Sequence, residues 1–70
     1  MAPKYIVTFQ DSAATEEINF YIQQIHKDGG SVTNRFPDMI ARGFSAYITD
    51  AVLHRLESDS SIDHITPDTS

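Results

Sequence analysis

Residues 4–9, KYIVTF, alternate along the chain: Tyr5, Val7 and Phe9 fall on one face, Ile6 and Thr8 on the other. Their β-branched and aromatic character predicts a strand covered on at least one side. The period then changes. Within residues 11–30, DSAATEEINFYIQQIHKDGG, the residues Ile18, Tyr21, Ile22 and Ile25 recur at i, i+3, i+4 and i+7, one stripe of an amphipathic helix. Ser12 or Thr15 can cap it, Glu16 and Glu17 suit the positive end of its dipole, and Gly29 and Gly30 supply the left-handed stop.

Residues 31–36, SVTNRF, return to alternation, with Val32, Asn34 and Phe36 set against Ser31, Thr33 and Arg35. A strand with one partly wet face is predicted. PDMIAR interrupts as a loop in which Met39 and Ile40 either pack under the edge of the sheet or reach toward a partner. GFSAYI then places Phe44, Ala46 and Ile48 opposite Ser45 and Tyr47, a third strand joined to the second as a hairpin. TDAVLHRLESDSS predicts a short helix, capped by Thr49 or Asp50, with Val52, Leu53 and Leu56 on one face. IDHITP supplies a last strand; Pro67 has no amide proton, so that strand lies at a sheet edge or ends there.

The order β-α-β-β-α-β, with right-handed crossovers, gives an α+β, ferredoxin-like sandwich: a four-stranded antiparallel sheet with two helices on one face. The expected core includes Val7, Ile22, Ile25, Val32, Phe44, Ala46, Leu53 and Leu56. The other sheet face stays uncovered, and Ile6 and Tyr47 make it a candidate docking surface. Phe20 lies off the helical stripe and reads as an ordinary exposed aromatic.

Length and composition narrow the function. The 70 residues predict a single domain over 1–70, because so short a chain buries only about 60% of its unfolded surface. A large enclosed active site is not expected. The chain has no cysteine, so neither disulfides nor thiolate metal sites are available and stability comes from packing. An apolar fraction of 40% with 21% charged residues is the composition of a folded domain. The net charge of −5, with Lys4, Lys27, Arg35, Arg42 and Arg55 dispersed, argues against nucleic acid as a partner. No run is long enough to span a bilayer, and MAPKYIVTFQ lacks the apolar core of a signal peptide. A cytoplasmic monomer without membrane attachment is the expectation, with vacuolar association as a variant of it.

Candidate chemistry is sparse. His26, His54 and His64 fall on three different elements with no i, i+4 pair, which predicts no metal site. Ser31 and Ser45 lie in no G-x-S-x-G elbow, so catalysis is not expected. Gly29 and Gly30 end a helix, whereas phosphate loops begin one. No cofactor is implied.

The ordered set KYIVTF, then DGGSVTNRF, then RGFSAYITDAVLHRLESDSSIDHITPD resembles the inhibitor I9 family over residues 4–68. That family comprises the propeptide domains of subtilisin-type serine proteases and the free-standing fungal proteinase inhibitors similar to them. The resemblance implies a subtilisin-like serine protease as partner. The open sheet face packs onto two surface helices of the enzyme, and the C-terminal segment enters the substrate cleft as an extended strand. In attached propeptides the same contacts guide folding of the enzyme. Carried over residue by residue, Ile65 matches the family's branched apolar position, Thr66 stands where the first of two acids is usual, Pro67 is the intervening residue and Asp68 keeps the second acid. With Thr69, Ser70 and the open-face residue Tyr47, these are the implied protease-binding residues; no residue is catalytic. Only Thr69 and Ser70 follow the acid, so the sheet face is expected to contribute more and the tail to reach only outer subsites.

Two classes of function follow. One is a reversible protease inhibitor. The other is a non-inhibitory interaction module of the same fold, a subunit of a cytosolic complex or a chaperone-like propeptide homologue. A nucleic-acid or metal carrier of this topology would need aromatic-basic strands or a Cys-x-x-Cys, and neither is present.

Overall fold

The computed structural model describes residues 2–68. Its elements run β1 (Lys4–Phe9), α1 (Thr15–Lys27), β2 (Ser31–Arg35), β3 (Gly43–Tyr47), α2 (Asp50–Glu57) and β4 (Ile62–Pro67). The strands form one sheet in the order β2-β3-β1-β4, and each neighbouring pair is antiparallel. This is the α+β arrangement expected from the changes of period.

The strongest strand pattern, in β1, takes a central place between β3 and β4. There Val7 and Phe9 meet Phe44 and Ala46 on the face that the helices cover. Ile18, Tyr21 and Ile25 of α1, with Val52 and Leu56 of α2, close over the same cluster, and Ile48 is buried just after β3. The Phe9 ring centroid lies 5.8 Å from that of Phe44 and 6.1 Å from that of Tyr21, within the range of favourable tilted pairs. Each such buried side chain stabilises the fold by roughly 1.5–3 kcal/mol relative to exposure. Ile22, Val32 and Leu53, expected in the core, are only partly buried and pack against its margin.

The helix starts differ from expectation. Ala14 occupies the N-cap of α1, so neither Ser12 nor Thr15 caps it. Thr15 already lies inside the helix, and its Oγ1 accepts from Arg42 at 3.3 Å, while the same guanidinium nitrogen donates to the Ala13 carbonyl at 2.7 Å. Thr49 does hold the N-cap position of α2, but its hydroxyl donates to the carboxylate of Asp28, the C-cap of α1. One helix end is thereby tied to the start of the other. Gly29, at φ +92°, provides the left-handed residue that stops α1.

The alternation expected in β2 breaks at a bulge between Val32 and Asn34. Asn34 comes to lie opposite Ser45 and Arg35 opposite Phe44, reversing the assigned faces. An extra residue in one strand shifts everything beyond it by one position, and with a period of two that changes the face. Arg35 accordingly reaches α1, where it donates to Asn19 Oδ1 at 2.9 Å. The hairpin loop turns on the Pro37 carbonyl, which accepts from the amides of Ile40 and Ala41 at 2.9 and 3.0 Å. Met39 and Ile40 at its tip are 99% and 81% exposed, so they do not pack under the sheet. At the far edge, β4 ends at Pro67, where the missing amide proton costs no ladder bond.

Candidate docking surface

Strand register decides which side chains share the uncovered face. Lys4, Ile6 and Thr8 of β1 stand opposite Tyr47, Ser45 and Gly43 of β3, and on the other side Ile6 and Thr8 stand opposite Thr66 and His64 of β4. Ser31 of β2 pairs with Tyr47. The face is therefore an expanse of small hydroxyl side chains around one aliphatic residue, Ile6, with Tyr47 at one end. Some of the hydroxyls are engaged within the sheet: Thr33 Oγ1 lies 3.0 Å from Ser45 Oγ and donates to the Ser45 carbonyl at 3.1 Å. Tyr47 is 42% exposed, and its aromatic body is available to a partner.

The implied protease-binding residues divide between the two faces. Thr66 lies on the open face opposite Ile6. Ile65 pairs with Val7 and packs against the core, and Pro67 pairs with Tyr5 on that same covered side. Asp68 follows β4 and keeps the pairing going by one residue, its amide donating to the Lys4 carbonyl at 2.9 Å. Its carboxylate lies 3.5 Å from Lys4 Nζ. Thr69 and Ser70 lie outside the described residues. The geometry thus brings Tyr47, Thr66 and Asp68 toward one surface and leaves Ile65 as a strut beneath it.

The sequence reading missed the part played by Lys4. Its Nζ sits 5.9 Å from the centroid of the Tyr47 ring as well as beside Asp68. The only sign in the sequence is a cation at the head of the first strand and an anion just past the last. Pairing them requires the β1–β4 register, which no local pattern supplies.

Beside Tyr47 a cavity of about 300 Å³ opens between Ala2, Gly29 and Ser31. The turn after α1 can approach β3 this closely because Gly30 has no side chain: a Cβ there would collide with the Tyr47 carbonyl oxygen. A broader groove of about 600 Å³ lies elsewhere, lined by Tyr21, His54, Arg55, Ser58, Asp59 and Ser60. The perturbed titrating groups cluster near it. Burial, and then the hydrogen bond to Asp59, hold the Tyr21 phenol well above its ordinary value. The Tyr21 hydroxyl holds the Asp59 carboxyl below the usual carboxylate value, helped by the Ser61 amide.

His26, His54 and His64 are exposed and stand on separate elements. His54 pairs only with Glu57, and His64 only with Asp63, among the ion pairs of the described residues. No group of three His, Asp or Glu side chains among the described residues is placed to hold a metal ion. No described helix is long and apolar enough to cross a membrane. No protein-family model matches the chain, and no curated protein matches it.

Proposed function

We propose that this domain is a protein inhibitor of subtilisin-like serine proteases, docking by its open sheet face and directing the segment after β4 toward the substrate cleft. The observation that carries the reading is the one-sided cover of the sheet. Both helices roof one face, while the other presents Ile6 and Tyr47 beside the edge strand from which the C-terminal segment leaves. The resemblance of residues 4–68 to the inhibitor I9 family gives that surface a partner.

The mechanism needs no chemistry from the inhibitor. A sheet face laid on the enzyme's surface helices supplies burial and shape, and an extended segment pairs with the rim of the cleft through main-chain hydrogen bonds. Thr66 and Asp68 bring a hydroxyl and a carboxylate to the end of β4, the groups suited to unpaired N–H groups at helix amino ends. Inhibition is then reversible and steric.

A second reading, the non-inhibitory interaction module, is favoured by how firmly residues 65 to 68 belong to the sheet. Ile65 packs on the core, and Asp68 is bound to Lys4 by main chain and side chain. Titration of subtilisin with the protein, followed by peptide hydrolysis, separates the two. The inhibitor reading expects saturable, slowly reversible loss of activity. Undiminished hydrolysis at high micromolar protein would transfer the assignment to the interaction module.

A further inference from the structure

Lys4 opens β1 on the open face, directly across from Tyr47. Three contacts converge on it. Its carbonyl accepts the Asp68 amide proton at 2.9 Å, its ammonium stands 3.5 Å from Asp68 Oδ2, and the same ammonium lies over the Tyr47 ring, 5.9 Å from the centroid. A lysine stem can lie along an aromatic ring while its head remains at the water boundary, so one side chain serves both contacts. The Lys4 side chain is 32% exposed and the Asp68 side chain 17%, so the pair is screened less than one in open water. Pro67, immediately before Asp68, fixes its own φ and removes one source of swing.

We infer that Lys4 is a positioning residue of the docking surface: it holds the Asp68 carboxylate and the Tyr47 ring in one arrangement and so fixes the end of β4 on the open face. The inference rests on the inhibitor reading and adds a residue to its site. Lys4 acts through Asp68 and Tyr47, reducing the ordering that remains to be done when a partner binds.

The test combines inhibition of subtilisin with order in the free protein, for the parent, Lys4→Gln, Lys4→Arg, Asp68→Asn and the Lys4→Gln/Asp68→Asn double variant. A partly exposed ion pair shifts an equilibrium by about two- to fivefold, and Lys4→Gln is expected to weaken inhibition by that factor. Lys4→Arg restores it. The double variant is expected to be no worse than the worse single one, the mark of two residues acting as a unit. In roughly 0.5 M salt the parent should approach Lys4→Gln, since such salt shortens the reach of the pair. In the free protein the heteronuclear NOE of the Asp68 amide should fall in Lys4→Gln.

Parent-like inhibition by Lys4→Gln overturns the inference, and so do additive effects of Lys4→Gln and Asp68→Asn. Tighter inhibition by Lys4→Gln also overturns it, because Lys4 would then compete with the enzyme for Asp68. Absence of inhibition by the parent overturns the inhibitor reading instead. The hold of Lys4 on Asp68 is then decided by the NOE: a fall supports it and an unchanged value removes it.

Discussion

The Tyr21 hydroxyl donates to Asp59 Oδ2 at 2.6 Å, joining the middle of α1 to the turn that launches β4. The ring of Tyr21 lies in the core while its hydroxyl reaches this carboxylate, whose other oxygen accepts the Ser61 amide at 2.9 Å. The Ser61 carbonyl in turn accepts from the Gln10 amide at 2.8 Å, so the turn is braced from both sides. Tyr21→Phe keeps the ring and deletes the bond. A hydrogen bond to a charged group contributes about 1.5–3 kcal/mol, and partial exposure places the expected loss near the lower end. Urea unfolding should show that loss without a change in slope; a loss under about 0.5 kcal/mol would mean that water replaces the hydroxyl without penalty.

Glu17 shares this cluster and gives it a pH dependence. Its carboxyl is raised above the ordinary 4.5, first by hydrogen bonding to Asp59 and then by burial, even though its place in the first turn of α1 favours the ionised form. The fold therefore favours the protonated form more than the unfolded chain does. The stabilisation is complete below pH 4.5 and is lost as pH rises through the raised value. Asp59 runs the other way: lowered from 3.8, chiefly by Tyr21, it contributes stability above that pH and loses it on acidification. Glu17→Gln mimics the protonated side chain at every pH. The variant should match the parent near pH 4 and exceed it in stability at pH 7, as read by urea unfolding across that range. A gap that does not change with pH would remove Glu17 from the cluster.

Two isoleucines provide a contrast in burial. Ile25 is 1% exposed beneath the sheet, and Ile40 stands out at the hairpin tip. Ile25→Ala should cost about 2–5 kcal/mol, close to all the stability that a core of this size supplies, and should unfold much of the population at 25 °C. Ile40→Ser should stay within about 0.5 kcal/mol of the parent. Circular dichroism and thermal midpoints check both, and a folded, cooperative Ile25→Ala would show that the helices collapse into the space.

These contrasts mark what the chain discloses locally. The stripe of Ile18, Tyr21 and Ile25 and the alternation of Val7 and Phe9 were legible because burial acts directly on the period of each element. Pro67 as the end of an edge strand was legible because a missing donor is a property of one residue. The faces of Asn34 and Arg35 were not, because one bulge after Val32 shifts the count by a residue. Nor were the roles of Thr15 and Thr49, whose hydroxyls serve Arg42 and Asp28 across the fold in place of their own helix ends. The open face itself followed from element order. Its contents did not: Ile65 turns inward, and Lys4 holds Asp68, through registers set jointly by three strands.

Ile6 is where the docking proposal is most exposed to test. It lies between Ser45 of β3 and Thr66 of β4, on the face away from both helices. Ile6→Lys should leave the free domain folded, because a lysine stem can lie along the sheet with its ammonium in water. Pressed against an enzyme, the same ammonium loses its water without a partner, at an effective cost of several kcal/mol. Inhibition of subtilisin should therefore weaken by about a hundredfold or more, each factor of ten being about 1.4 kcal/mol. Met39→Lys, at the 99% exposed hairpin tip, adds the same charge on a surface the proposal leaves unused and should inhibit like the parent. An Ile6→Lys protein that inhibits normally would show that the open face does not meet the enzyme. The reverse pattern, with Met39→Lys inactive, would move the contact to the β2–β3 hairpin tip.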